Sequence, residues 1–210
     1  MYRSRHSHRS GSKPRPSADP VYPPREDSLL LLPFAQVAPR SSVLEVGAGT
    51  GLASLAAARI GARVVATDRN PYALRRLRER ARAEGLDLAT VRTDLARGLG
   101  RFDRILANPP YLPTLPAERD PDRWHNLALD GGPDGCRVTA RLVASLPEHL
   151  AEGGSAFVVV SSLQSANGLA AVEHGWASVG GRRDVVAERS LEGERLAVWR
   201  LTMASADGPR

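Results

Sequence analysis

From residue 42 onward, short apolar runs alternate with helix-like segments, and this alternation constrains the fold more than any other feature. The runs at 42–46, 63–67, 88–92, 102–107 and 155–160 are aliphatic and β-branched and read as buried strands. Helix-like segments occupy 52–60, 71–84, 137–150 and 164–174 between them. Gly61 stops the first, Pro71 and Gly85 bound the second, and Pro147 is expected to kink the third. A further helix is expected over 29–38, capped by Asp27 or Ser28 and ended by Pro39. The last two runs, 183–189 and 195–202, flank a turn at 191–194 and read as a hairpin. Repeated strand–helix units joined by right-handed crossovers build a parallel sheet covered on both faces. The expected fold class is therefore α/β: a doubly wound, seven-stranded, mostly parallel sheet with a C-terminal antiparallel hairpin.

Composition narrows what such a sheet can serve. The 210 residues are 42% hydrophobic and 25% charged, which suits one core with short appendages. Cys136 is the single cysteine, so neither a disulfide scaffold nor a multi-cysteine zinc site can form, and no metal site is expected. The longest apolar stretch, 29–38, is broken by Pro33 and Gln36 and falls short of the roughly 20 residues that span a bilayer. No membrane partner is expected, and the location reads as cytoplasmic. The net charge of +6 is uneven: Arg3, Arg5, Arg9, Lys13 and Arg15 face only Asp19 in the first 19 residues, leaving 24 basic against 22 acidic residues in the remainder. The expected layout is a disordered basic tail over 1–20, one domain over 21–203, and a short disordered end over 204–210. Three readings stay open for the basic tail: a solvated extension, an electrostatic handle for RNA or another acidic partner, and a cleaved targeting segment.

The first strand ends in Glu45-Val46-Gly47-Ala48-Gly49-Thr50-Gly51 and runs straight into a helix. Glycines there allow positive φ and close approach of a ligand to the backbone. A dinucleotide fingerprint would place a third glycine at position 52, which is Leu52, so a pyrophosphate seat is disfavoured and a nucleoside without phosphates is favoured. Asp68 closes the second strand, where a carboxylate can accept both ribose hydroxyls. Asp94 follows the third strand, placed either to meet an adenine amino group or to cap a turn.

At the end of the fourth strand stands Asn108-Pro109-Pro110-Tyr111. Ligands of open α/β sheets sit beyond the carboxyl ends of the strands, so this tetrapeptide, the glycine loop and Asp68 are expected to share one crevice. Two prolines remove two N–H donors and leave carbonyls as acceptors, Asn108 adds an acceptor oxygen, and Tyr111 a flat face. That set suits a planar –NH2 group held by two acceptors. Methylation of such a weak nucleophile depends on orientation, not on a strong base.

Together, the Glu45–Gly51 stretch, Asp68 with Asn70-Pro71, and Asn108–Tyr111 resemble the class I S-adenosylmethionine-dependent methyltransferases, whose sheet is Rossmann-like. Asp130-Gly131-Gly132-Pro133-Asp134-Gly135 and Tyr22-Pro23-Pro24-Arg25-Glu26-Asp27-Ser28 are similar to segments of the HemK/PrmC protein-glutamine N5-methyltransferases, in the short branch without an N-terminal helical domain. The resemblance implies S-adenosylmethionine as cofactor, with Gly47, Gly49 and Gly51 around its methionine and ribose near Glu45, Asp68 on the ribose, and Asp94 at the adenine. Asp27 and Ser28 would close over it. Asn108 and the Pro109 carbonyl would grip the substrate amide beside Tyr111, with Asn108 also bordering the cofactor. It also implies a protein substrate such as a release factor, or another Gln- or Lys-bearing protein, and in some members a small zinc-binding activator at an apolar sheet edge near Leu86, Leu88 and Val91. Lysine methylation and adenine-N6 methylation of nucleic acid are the alternative reactions, and a non-catalytic nucleotide- or RNA-binding subunit is the alternative class. Nucleic acid is expected to be reached only through the basic tail. Trp124 reads as a substrate wall or a packing residue, His125 as an ordinary loop histidine, and Cys136 as a packing residue.

Overall fold

The computed structural model describes residues 20–204; the disorder expected over 1–20 and 204–210 falls, but for Pro20 and Ala204, outside the described residues. Seven strands, β1 (Ser42–Val46), β2 (Arg63–Asp68), β3 (Ala89–Arg92), β4 (Phe102–Ala107), β5 (Leu150–Ser161), β6 (Gly181–Leu191) and β7 (Glu194–Met203), form one sheet in the order β3-β2-β1-β4-β5-β7-β6. Only β7 runs against its neighbours, pairing antiparallel with β5 and β6. The chain builds outward through β2 and β3, then returns to place β4 on the other side of β1. That reversal opens a crevice beyond the carboxyl ends of β1 and β4.

Alternation along the central strands sorts the core into two faces. Val43, Leu106, Phe157 and Val159 pack with α2 (Leu52–Arg59) and with the N-terminal segment through Leu31 and Ala35. Leu44, Ile105 and Val158 pack on the other face against Leu142, Val143 and Leu146 of α5 (Arg137–His149) and Val172 and Trp176 of α6 (Ala166–Ser178). Each fully buried leucine or isoleucine here contributes about 1.5–3 kcal/mol. The helix α3 (Pro71–Ala83) sets Leu77 and Ala81 against Leu55 and Ala66. Its start is fixed by Asn70, whose side chain accepts from the Tyr72 N–H at 3.0 Å, with Pro71 in the first turn.

Several elements differ from the sequence expectation, among them β5, which begins at Leu150 where the strand was expected from 155. The helix expected over 29–38 starts earlier, as α1 (Glu26–Leu31), and tightens into a 3-10 turn at Leu32–Ala35, because Pro33 cannot donate to the helical ladder. The stretch 108–135, expected to be irregular, contains α4 (Arg123–Leu129), started by Asp122, which accepts from the Trp124 N–H at 2.8 Å. Pro147 sits inside α5 close to its end, where the helix stops at His149. Pro20, counted with the tail from its sequence, lies against the body: its carbonyl accepts from Asn70 Nδ2 at 2.6 Å.

Candidate active site

A cleft of about 740 Å3 opens at the carboxyl ends of β1, β2 and β4. Its floor is the turn from β1 into α2, where Gly47, Gly49 and Gly51 all have positive φ. A side chain at Gly51 would run into Leu77, so that glycine is required by packing. At Gly47 and Gly49 an added Cβ would meet no protein atom within 4 Å; those two positions face the open cleft.

Two carboxylates organise this floor. Asp68 accepts from the Gly49 N–H at 2.9 Å and from the Asn70 N–H at 2.7 Å, one donor on each oxygen. Burial raises its pKa against the pull of those donors. A carboxylate offers about four lone-pair positions, so both oxygens keep capacity for a further donor. Glu45 works differently. Helix α2 has no cap from its own Gly51, and Glu45 supplies one from β1, its Oε2 accepting from the Ser54 N–H at 2.8 Å and from the Ser54 hydroxyl. The buried carboxyl is pushed up to about 7 by desolvation, which outweighs the Ser54 and Ala53 donors. Glu45 thus shapes the glycine loop from beneath.

The opposite wall is the Asn108–Tyr111 turn. Pro109 is buried, and Asn108 presents a buried Oδ1 without a hydrogen-bond partner among the described residues. A buried amide oxygen left unpaired costs about 1–3 kcal/mol, and both residues line the cleft. The Tyr111 hydroxyl donates to Asp27 Oδ2 at 3.2 Å, while Asp27 Oδ1 accepts from the Ser28 N–H at 2.7 Å. Burial and the Asp27 charge raise the Tyr111 pKa, so the phenol stays protonated. The N-terminal segment is latched over the cleft by this bond, by Pro20 on Asn70, and by Glu26 against Arg189 at 2.7 Å.

What holds the Asn108–Tyr111 turn is the Asp130–Gly135 segment, whose mechanical role the sequence reading did not assign. Leu112 N–H donates to the Leu129 carbonyl, Gly131 N–H to Leu112, and Thr114 N–H to Gly132. Gly135, at φ +75°, passes so close to the Tyr111 carbonyl that a Cβ would lie 2.4 Å from it. Its own carbonyl accepts from Gln164 Nε2 at 3.0 Å. Asp130 is tied by the Gly132 N–H at 2.8 Å, Arg137 at 2.9 Å and Arg119 at 3.0 Å. Burial pushes the Asp130 carboxyl up, but those donors outweigh it and hold its pKa below the ordinary value. The signal available in the sequence was the pair of glycines around Pro133-Asp134, a turn that only a close backbone approach requires.

The structure therefore brings Asp27, Ser28, Glu45, Gly47, Gly49, Asp68, Asp94, Asn108, Pro109 and Tyr111 to one cleft, with Gly51 beneath it. Asp94 differs in detail: it lines the cleft but is also paired with Arg141 at 2.5 Å, so an adenine amine would have to share it. Trp124 lines the cleft edge-on to Tyr72, His125 faces Asp120 at 3.7 Å, and Cys136 is buried. No group of three or more metal-ligating side chains exists among the described residues, and no described helix is long and apolar enough to cross a membrane.

Residues 26–121 match the family described as Methyltransferase small domain. A protein of Methanocaldococcus jannaschii described as a putative protein N5-glutamine methyltransferase is 43% identical over 145 residues, covering 68% of this chain and 73% of that protein. The chain belongs to the HemK/PrmC family. The release factor glutamine methyltransferase of Deinococcus radiodurans is 46% identical over 119 residues, covering 54% of this chain and 43% of that longer enzyme. The E. cuniculi Mtq2 chain, solved with Trm112, superposes with a TM-score of 0.68 at 24% identity, over 89% of this chain and all of that one, which shows the shared fold. This HemK/PrmC chain is an S-adenosylmethionine-dependent methyltransferase.

The site's residues fit that cofactor. The open faces of Gly47 and Gly49 leave room against the backbone, Asp68 keeps acceptor capacity for a ribose, and the cleft is large enough for a nucleoside together with a substrate side chain.

Proposed function

We propose that this chain methylates the side-chain amide nitrogen of a glutamine in a protein substrate, with a translation release factor as the first substrate to test. The observation that carries the reading is the unpartnered, buried Asn108 Oδ1 in a cleft that Pro109 also lines, an acceptor suited to an N–H bond of a primary amide. The names of the archaeal and Deinococcus relatives support the same acceptor.

S-adenosylmethionine supplies an electrophilic methyl carbon on a sulfonium. The chain's own residues do the rest. Asn108 Oδ1 and the Pro109 carbonyl would accept one N–H each, fixing the amide plane and stabilising the positive charge that develops on the nitrogen as it takes the methyl; the methyl–sulfur bond would break to leave a neutral thioether, and the nitrogen would return to neutrality by giving one N–H proton to water. Such placed acceptors are worth roughly 10²–10³ in rate at other sites where charge develops. Tyr111, held by Asp27, fixes one side of the acceptor pocket. Asp68 and the glycine loop set the cofactor's position, and Glu45 keeps that loop in shape. A lysine fits less well: two carbonyl-type acceptors would stabilise its ammonium, the form that cannot accept a methyl group.

A small protein partner belongs to the same reading, since the Mtq2 structure is a complex with Trm112. In this chain β3 is an outer strand with Leu88 and Val91 half-buried on or beside it. Leu86 and Leu88 pack inward onto the core, so a partner there would add to a surface that is already partly closed.

The test is incubation with methyl-labelled cofactor and three acceptors: release factor, a histone-like basic protein, and RNA. Mass mapping should place the label on a glutamine of the release factor. Label on lysine or on adenine would overturn the proposed acceptor.

A further inference from the structure

Asn70 makes three hydrogen bonds that serve three different parts of the chain. Its backbone N–H donates to Asp68 Oδ1 at 2.7 Å, its Oδ1 accepts from the Tyr72 N–H at 3.0 Å, and its Nδ2 donates to the Pro20 carbonyl at 2.6 Å. The first steadies the carboxylate that faces the cofactor, and the second starts α3. The third serves neither purpose. It reaches 50 residues back along the chain, from a side chain that is buried. Pro20 begins the segment 20–28, every residue of which lines the main cleft. Residues 20–24 belong to no helix or strand, so no ladder of backbone bonds fixes them. Prolines at 20, 23 and 24 fix φ at three of those five positions and stiffen the piece. Its far end is tied to the other wall, where Asp27 accepts from the Tyr111 hydroxyl at 3.2 Å. The segment thus crosses the cleft from wall to wall, and a ligand reaching from Asp68 to Asn108 lies against it.

We propose that residues 20–28 are a strap that opens to admit and release S-adenosylmethionine, and that Asn70 is the positioning residue that clasps it shut beside Asp68. One residue bonds both the strap and the cofactor-facing carboxylate, so a change at either is felt at the other. The coupling is reciprocal: closure favours bound cofactor, and bound cofactor favours closure by the same factor. Other contacts of the strap leave this bond its polar anchor at the cofactor end. The Glu26–Arg189 pair lies at the other end and is exposed, where an ion pair holds little. Val21, buried next to Pro20, is the apolar anchor at the Asn70 end. The device works the same way whichever acceptor is methylated.

The test uses the full chain with Asn70→Asp and Asn70→Ser. Asp and Ser both cap helices, so each variant keeps an acceptor for the Tyr72 N–H and the backbone bond to Asp68. Both lose the donor to Pro20, and Ser adds no charge beside Asp68. Loss of one such bond should speed S-adenosylmethionine release about two- to tenfold in stopped-flow dilution and raise its KM alike, with kcat at saturating cofactor held within about twofold. Hydrogen exchange read by mass spectrometry separates a clasp from a helix cap. In the native chain, S-adenosylmethionine should slow exchange over 21–28. In both variants that protection should fall while exchange over α3 stays native. Val21→Ala loosens the same end without touching Asp68 and should also speed release. The strap is overturned if the cofactor leaves exchange over 21–28 unchanged in the native chain, or if both Asn70 variants release it at the native rate. Faster release with full protection over 21–28 overturns it too, since Asn70 would then act on Asp68 alone. Should α3 itself loosen in the Asn70 variants, Val21→Ala decides, and native release there sinks the strap.

Discussion

The two walls of the cleft are built by opposite means. The cofactor wall is local: β1, its glycine turn and α2 are continuous in sequence, and Glu45 reaches only nine residues ahead to cap the helix that follows it. The acceptor wall is held from a distance. Asn108–Tyr111 is clasped by Asp130–Gly135, that clasp is gripped by Gln164 in the turn before α6, and Tyr111 is tied to Asp27, 84 residues away. A locally encoded wall forms whenever the strand–turn–helix forms. The distant one exists only in the finished fold, so changes there should damage transfer while leaving cofactor binding intact.

The largest expected effect tests that division directly. Asn108→Ala should lower kcat by roughly 10²–10³, the scale of a lost positioned polar contact at a reacting centre, with cofactor Kd unchanged within about twofold. Asp68→Ala should do the reverse. It removes a charged acceptor worth about 1.5–3 kcal/mol and weakens cofactor binding by roughly 10–100-fold, with kcat little altered at saturating cofactor. Calorimetric titration of cofactor and steady-state methyl transfer separate the two; equal loss of both quantities in either variant would remove the distinction between the walls.

Next in size is Gly135→Ala. The new methyl would lie 2.4 Å from the Tyr111 carbonyl, at a φ that L residues rarely adopt. The turn must shift, and a displacement near 1 Å at a reacting centre costs about 10² in rate. Cofactor affinity should hold. If kcat is unchanged in a folded Gly135→Ala protein, the Asp130–Gly135 segment does not position the acceptor turn.

This contrast also explains what could be read from the sequence. β1 and β4 matched their expected bounds because each is an apolar run closed sharply by glycine or by Asn-Pro-Pro. The seven-stranded, mostly parallel class followed from strand–helix alternation and the terminal hairpin. Helix α4 escaped because Arg123-Trp-His-Asn-Leu-Ala-Leu129 buries no residue fully and so shows no apolar stripe; its one usable signal was Asp122 as a cap. The pairing of Asp94 with Arg141 and the closeness of Gly135 to Tyr111 are contacts between distant segments, and no local pattern announces them. The residues that line the cleft were legible where they stand at strand ends. The parts that hold them were not.

On the cofactor wall, Glu45 makes a pH prediction. Its folded pKa of about 7 lies above the ordinary 4.5, so the folded state binds the extra proton. Stability from this group is complete below about pH 4.5 and is lost as pH rises through 7. Glu45→Gln keeps an acceptor for Ser54 and cannot ionise. The stability of the native chain relative to the variant should therefore fall between pH 4.5 and 7, by on the order of 3 kcal/mol. Urea unfolding of both proteins across that range measures it, and a flat difference would show that the buried carboxyl is not perturbed.

The smallest effect expected lies on the link between the N-terminal segment and the acceptor wall. Tyr111→Phe keeps the ring and removes one hydrogen bond to Asp27, a contact worth about 0.5–1.5 kcal/mol, or roughly a two- to tenfold loss in kcat. Because the phenol stays protonated, the loss should be the same at neutral and mildly alkaline pH. If the bond acts by holding the ring, Asp27→Ala should cause a similar loss and the double variant should be no worse than either single one. Additive losses would mean that Asp27 and Tyr111 act separately, Asp27 on the cofactor and Tyr111 on the substrate, and the two walls would then be joined by nothing stronger than their common sheet.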